Sequence, residues 1–342
     1  MSRFLALAAV ALFGLSDEKL STQYAAERAF RVEATTTLKM ETTASRFERD
    51  GEPVDRGGRG GGGVEMTRHV VLVDRVLAAD EGRPTKVRRA FEEVEATTSV
   101  NFGGESRELE SDCPLSGTVI ELTADGDDVE VEAVEGSPPG EALEGHRPRL
   151  ALDALLPERE IAVGRSWTLE NEAIRRALGL DVSKALFPPP APTEDEGGGR
   201  GGRGGGRGMR SGGDGRLLEQ AEGEGKATLV ALDDEHEGQA CARIEIEIRA
   251  AGDLPEPQSG GFGGGRGGAF QPEGGAPREN TYEIRLEGKL LFATAERIPV
   301  LLELEGQARH ETKTERTVRD STIYMETTRE GALEHRVTVS RQ

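Results

Sequence analysis

Cysteine is almost missing from this chain: Cys113 and Cys241 are the only two in 342 residues. That excludes a disulfide-built scaffold and any multi-cysteine metal site. One Cys113–Cys241 bridge remains open in an oxidising compartment. It requires Cα atoms within about 7 Å, so two semi-buried free thiols are the simpler expectation. Aromatic residues are only 4% of the chain, with one tryptophan, so stacking platforms for bases are lacking. Positive charge is also short: 43 Lys and Arg against 63 Asp and Glu leave a net charge of -20. Such a surface repels nucleic acid and anionic membranes.

Catalytic signatures are missing as well. There is no Gly-x-Ser-x-Gly elbow, no Walker loop, and no Gly-x-Gly-x-x-Gly set between a strand and a helix. His69, His146, His236, His310 and His335 lack the i, i+4 spacing that places two ligands on one helix face. Asp233-Asp234-Glu235-His236-Glu237 resembles an oxygen-rich cation site, but it precedes Gly238 between two strands and reads as a solvated hairpin turn. Acidic residues are too numerous for a carboxylate pair to be singled out. The expectation is a protein that is not an enzyme, with no catalytic residues, metal or cofactor; an unrecognised hydrolase is the lesser alternative.

What is present starts at the N-terminus. Met1-Ser2-Arg3 gives a short basic start, and Phe4 to Leu15 carries no charge. These are the n- and h-regions of a signal peptide, with small residues at Gly14 and Ser16 placing cleavage after Ser16. The apolar run is too short to span a bilayer as a helix, which takes roughly 20 residues, and Asp17-Glu18-Lys19 follows it. No cysteine follows for lipid attachment. Residues 1–16 are thus expected to be removed, leaving 17–342 as a secreted or periplasmic protein with no transmembrane segment. A frayed apolar N-terminus on a cytoplasmic protein is the alternative.

From residue 30 the pattern has period two. Phe30, Val32, Ala34, Thr36, Leu38 and Met40 share one face, and Arg31, Glu33, Thr35, Thr37, Lys39 and Glu41 the other, the mark of a half-buried strand. Similar runs are expected at Arg68–Leu77, Lys86–Phe102, Thr118–Leu122 and Val129–Val134, the last two joined by an Asp125-Gly126 turn. Others follow at Ala227–Leu232, Ala242–Ile248, Tyr282–Thr294, Val300–His310, Ile323–Thr328 and His335–Val339. One wet and one dry face per strand favours an antiparallel sheet.

Helix is expected only in the middle: Leu150–Leu156, ended by Pro157; Asn171–Leu178, with Asn171 as N-cap and Gly179 as stop; and Asp181–Phe187 before three prolines. Their apolar stripes would cover the sheet. Gly/Arg-rich tracts interrupt the pattern. They have too little apolar surface to offset ordering, so disordered insertions are expected at about 51–63, 188–215 and 255–278 of a single β-rich domain. Arg-Gly-Gly runs also bind RNA, a reading weakened by the few nearby aromatics and the acidic host.

Trp167 sits in Val163-Gly164-Arg165-Ser166-Trp167. It reads as a core anchor where the chain returns from the helices to the sheet, or as the mouth of a ligand cavity. The order of elements, with Pro114, Leu115 and Gly117 before a hairpin, then Leu156-Pro157 and the Val-Gly-x-Ser-Trp stretch, resembles the periplasmic lipoprotein-carrier superfamily. The resemblance spans residues 28–180 by motif. It implies a curved antiparallel sheet or incomplete barrel around a helical plug, with a cavity for an acyl chain, and it carries over no ligand-contacting residue. The functional expectation is an exported protein that binds a hydrophobic or amphipathic ligand such as lipid. The alternative is a structural module that docks an envelope protein.

Overall fold

The computed structural model describes residues 18–54, 62–102, 105–126, 128–182, 222–253, 279–318 and 321–342. The leader, the 188–215 and 255–278 insertions, most of the first insertion and all but two residues of the Asp181–Phe187 helix lie outside the described residues.

One antiparallel sheet dominates. Its strands are β1 Ala29–Arg49, β2 Glu52–Pro53, β3 Gly62–Asp80, β4 Arg83–Phe102, β5 Glu105–Asp112, β6 Val119–Asp125, β7 Asp128–Glu135, β8 Ser166–Leu169, β9 Glu222–His236, β10 Gln239–Asp253, β11 Glu279–Ala293, β12 Ile298–Val318 and β13 Ser321–Arg341. The spatial order is β7-β6-β4-β3-β1-β13-β12-β11-β10-β9-β8, with β2 beside β1 and β5 beside β4. β1 pairs with β13 from Phe30↔Arg341 to Arg49↔Ile323, which joins the N- and C-terminal meanders into one sheet. The outer strands β7 and β8 do not meet, so the sheet is open.

The alternation read in the sequence is the alternation of burial. Phe30, Val32, Ala34, Thr36, Leu38 and Met40 are buried, as are Ile244, Ile246 and Ile248, while Glu245 and Glu247 face water. Val32→Asp should therefore unfold the protein, because it sets an unpaired charge inside the apolar layer. Glu245→Lys should change stability by no more than about 0.5 kcal/mol. Urea denaturation followed by circular dichroism checks both.

The strands are longer than their apolar runs. β13 is continuous where two strands were expected, and it passes through Gly331. Gly288 of β11 pairs with Leu304, Gly306 of β12 with Leu333, and Gly331 of β13 with Met40. Each step to the next strand shifts two residues toward the same end, so the three glycines form a diagonal. A Cβ on Gly288, Gly306 or Gly331 would run into the carbonyl of Glu303, Arg285 or Lys39 on the neighbouring strand. Glycine inside a strand marks such close backbone approach.

The dry face is closed by residues 140–182. They include α1 (Gly140–Leu143), a 3-10 turn (Ala151–Leu155) and α2 (Asn171–Gly179). Leu150, Leu152, Leu155, Ile174, Ala177, Leu178, Leu180 and Val182 join the sheet's core. Two details differ from expectation. Asn171 does not cap α2: the N-cap is Glu170, and Asn171 Oδ1 instead accepts a hydrogen bond from Gly223 N of β9 at 2.9 Å. The helix ends one residue later, on Leu180 in the left-handed conformation (φ 52°). Leu180 is buried and Asp181 is engaged in ion pairs, which hold a backbone geometry that costs roughly 1–2 kcal/mol outside glycine. Among the described residues, no helix is long and apolar enough to cross a membrane.

Candidate functional site

The polar groups that stand out lie between the sheet and its helical cover. In β3 the inward positions run Met66, Arg68, Val70, Leu72, Asp74, Val76, and in β4 they include Val87, Arg89 and Phe91; all are buried. Asp74 and Arg89 are thus charges in the dry register, on paired positions. Arg89 donates from Nε and Nη2 to the two Asp74 carboxylate oxygens at 2.7 and 2.8 Å. That fork is the strong geometry for an arginine–carboxylate pair.

The same guanidinium reaches the cover. Nη1 donates to His146 Nδ1 at 3.3 Å, Nη2 donates to the Arg147 carbonyl at 3.3 Å, and Asp181 Oδ2 lies 3.7 Å from Nη1. Asp181 also accepts from Arg176 of α2 at 3.1 Å. Burial works against the Arg89 charge, but Asp74 and then Asp181 outweigh it and raise its pKa above the usual arginine value.

A second group centres on Asp153 in the 3-10 turn. Thr22 Oγ1 and Tyr24 Oη both donate to its carboxylate at 2.5 Å, and Tyr24 Oη accepts from Leu150 N at 2.8 Å. Desolvation lifts the Asp153 pKa to about 6 against the pull of these hydrogen bonds. Desolvation, then Asp153, also raises Tyr24 well above the ordinary phenol value. Because the folded pKa of Asp153 exceeds the unfolded one, folding favours its protonated form. The cost of ionising it is absent below pH 4, grows between about 4 and 6, and is about 3 kcal/mol at neutral pH. Asp153→Asn should remove this slope, read as stability measured at pH 4, 5 and 7.

Two histidines share one arrangement. His146 Nε2 donates to the Ala142 carbonyl at 3.0 Å while its Nδ1 accepts from Arg89. His335 Nε2 donates to the Ala177 carbonyl of α2 at 3.2 Å while its Nδ1 accepts from Thr36 Oγ1 at 2.9 Å. The partners of His146, a guanidinium and a carbonyl, specify the neutral imidazole, whereas the Thr36 hydroxyl beside His335 can donate or accept. Desolvation and then Arg89 lower His146 to about 4, and desolvation and then Arg68 lower His335 to about 3.

Asp74, Arg89 and His146 are withdrawn from water, while Asp153 is half-buried. The cavity beside Arg89 is about 10 Å³, lined by Val32, Leu72, Asp74, Arg89, Leu150 and Leu180 among others, which is the space of one water. The cluster joins three parts of the chain: the N-terminal segment through Thr22 and Tyr24, the sheet through Asp74 and Arg89, and the cover through His146, Asp153, Arg176 and Asp181.

Residues singled out in the sequence are placed as follows. Trp167 of β8 is half-buried against the core, and its Nε1 donates to the Leu155 carbonyl at 3.1 Å, tying the sheet edge to the 3-10 turn. Cys113 and Cys241 are both buried and are not bridged to each other. Cys113 follows β5 beside β4 and Cys241 lies in β10, on opposite flanks of the sheet order. Desolvation raises the Cys241 thiol. The Asp233–Glu237 cluster is mostly strand rather than turn: β9 continues to His236, and only Glu237 and Gly238, both at positive φ, make the turn. No group of three or more metal-ligating side chains occurs among the described residues.

Missing from the sequence reading were Arg68, Asp74, Arg89 and Asp153. The signal for the first three was available: charges in phase with the apolar residues of a strand are either buried and paired or mark an error of phase. Asp153 carried no such signal, since a 3-10 turn lacks a long period. No protein-family model matches the chain, and no curated protein is significantly similar to it.

Proposed function

We propose that this is an exported, non-enzymatic protein whose concave face receives a hydrophobic or amphipathic ligand, in the manner of the lipoprotein-carrier superfamily. One observation carries the reading: the broad apolar face of the open sheet is closed by a short separate cover and not by a second sheet or by barrel closure. Among the described residues, the cavity between the sheet and the cover beside Arg89 is water-sized, so an acyl chain entering there must displace the cover. The leucines and Ile174 of the cover occupy the position such a chain would take. Native mass spectrometry of mature protein from the envelope should detect bound lipid, and a fluorescent fatty acid should bind the stripped protein. A lipid-free mass together with no fluorescent binding removes the proposal.

A docking role is the second reading. The described residues flanking the Gly/Arg tracts, Val54 and Gly62, Glu222, Asp253 and Glu279, gather at one end of the sheet. Deleting the tracts should leave lipid binding intact and abolish salt-sensitive docking.

A further inference from the structure

We infer that the helical cover is held shut by two neutral histidines and is released from the concave face by acid. The inference rests on the carrier reading only for what the opened face then receives. Its basis is geometric. His146 stands on the cover and meets the sheet through Arg89; His335 stands on the sheet and meets the cover through the Ala177 carbonyl at the end of α2. At His146, Nδ1 faces a guanidinium that can only donate and Nε2 a carbonyl that can only accept, so that bond set needs the uncharged ring; at His335 the Thr36 hydroxyl suits either form, and it is burial beside the Arg68 charge that disfavours the imidazolium.

The surroundings decide the sign. His146 faces Arg89 and the Phe91 ring of β4, Asp181 after α2, and the Ala142 carbonyl of α1. A proton on Nδ1 would point an N–H at the Arg89 guanidinium, two donors with no acceptor between them. Asp181 offsets this only in part, since it already serves Arg89 and Arg176. His335 faces Thr36 of β1, the Arg68 charge of β3 and the Ala177 carbonyl, with no carboxylate among the groups acting on it. Both rings therefore resist charging while the cover is closed, and regain an ordinary pKa when it leaves.

Asp153, faced by Thr22, Tyr24, Arg149 and Arg176, acts in the opposite sense because its protonated form favours the closed state. Between pH 7 and pH 5, each histidine shifts the equilibrium toward the open form by roughly twentyfold, and Asp153 opposes by about tenfold. The net shift is on the order of fiftyfold toward opening.

Hydrogen exchange of the lipid-free mature protein at pH 7 and pH 5, corrected for intrinsic rates, tests this. The helical parts of the cover, residues 140–155 and 171–180, should lose protection at pH 5 while β1, β8, β12 and β13 keep theirs. The double variant His146→Gln, His335→Gln should keep the cover protected at pH 5. Loss of protection in the strands in step with the cover means global acid unfolding and overturns the inference, as does wild-type opening in the double variant or an unchanged cover. Fluorescent fatty acid uptake separates the two readings. A cover that opens without uptake overturns the carrier proposal alone, and uptake with no change in cover protection overturns the acid release alone.

Discussion

Gly331→Val is expected to cost about 4 kcal/mol or more and to leave little folded protein at 37 °C. The side chain would start inside the Lys39 carbonyl of β1, so the β1–β13 ladder must part. That movement is not local, because the ladder joins the two halves of the sheet. Gly306→Val should behave alike through the Arg285 carbonyl. Gly140→Ala is the control: it sits at the start of α1 with open space around it, and should be within about 0.5 kcal/mol of wild type. Urea midpoints rank the three. A folded Gly331→Val with a wild-type midpoint would show that the two strands can part there without cost.

The second large effect belongs to Asp74→Ala, for which a loss of about 3–5 kcal/mol is expected. Arg89 is buried and spends two donors on Asp74. Without that carboxylate its charge is left with Asp181, which it shares with Arg176. The double change Asp74→Ala, Arg89→Met should recover much of the loss, because an apolar pair leaves no stranded charge. The exposed pair Arg285–Glu283, although it is 2.5 Å long, should give less than about 1 kcal/mol on removal of either partner. Equilibrium urea unfolding of the four variants decides it. An Asp74→Ala cost as small as that of the exposed pair would mean that water reaches Arg89.

The strand phases were legible because period two is a property of neighbouring residues: Phe30 to Met40 and Ile244 to Ile248 declare their buried side without knowledge of a partner. The Asp125-Gly126 hairpin was legible for the same reason, with Gly126 at φ 65° and Asp125 paired with Asp128. Boundaries were less so. The sequence pattern suggests separate strands at Ile323–Thr328 and His335–Val339, whereas in the sheet one strand runs through both and through Gly331. Asn171 reads as a cap, but its oxygen is taken by Gly223 from a distant strand.

The candidate site was the least legible part. Thr22, Tyr24, Asp74, Arg89, His146, Asp153 and Asp181 stand far apart in the chain; only Asp74 and Arg89 carried a local signal, as charges in phase with the apolar side of a strand, and nothing local marked the others. Composition and alternation alone determined a mainly β chain with one dry and one wet face, short central helices and little cysteine, because those follow from side chains a few positions apart. Tertiary structure alone decided that the sheet stays open, that three glycines line up on a diagonal across neighbouring strands, and that scattered acids, arginines and histidines meet under one cover. Those outcomes depend on which strand lies beside which, and pairing across hundreds of residues is set by packing that no local pattern encodes.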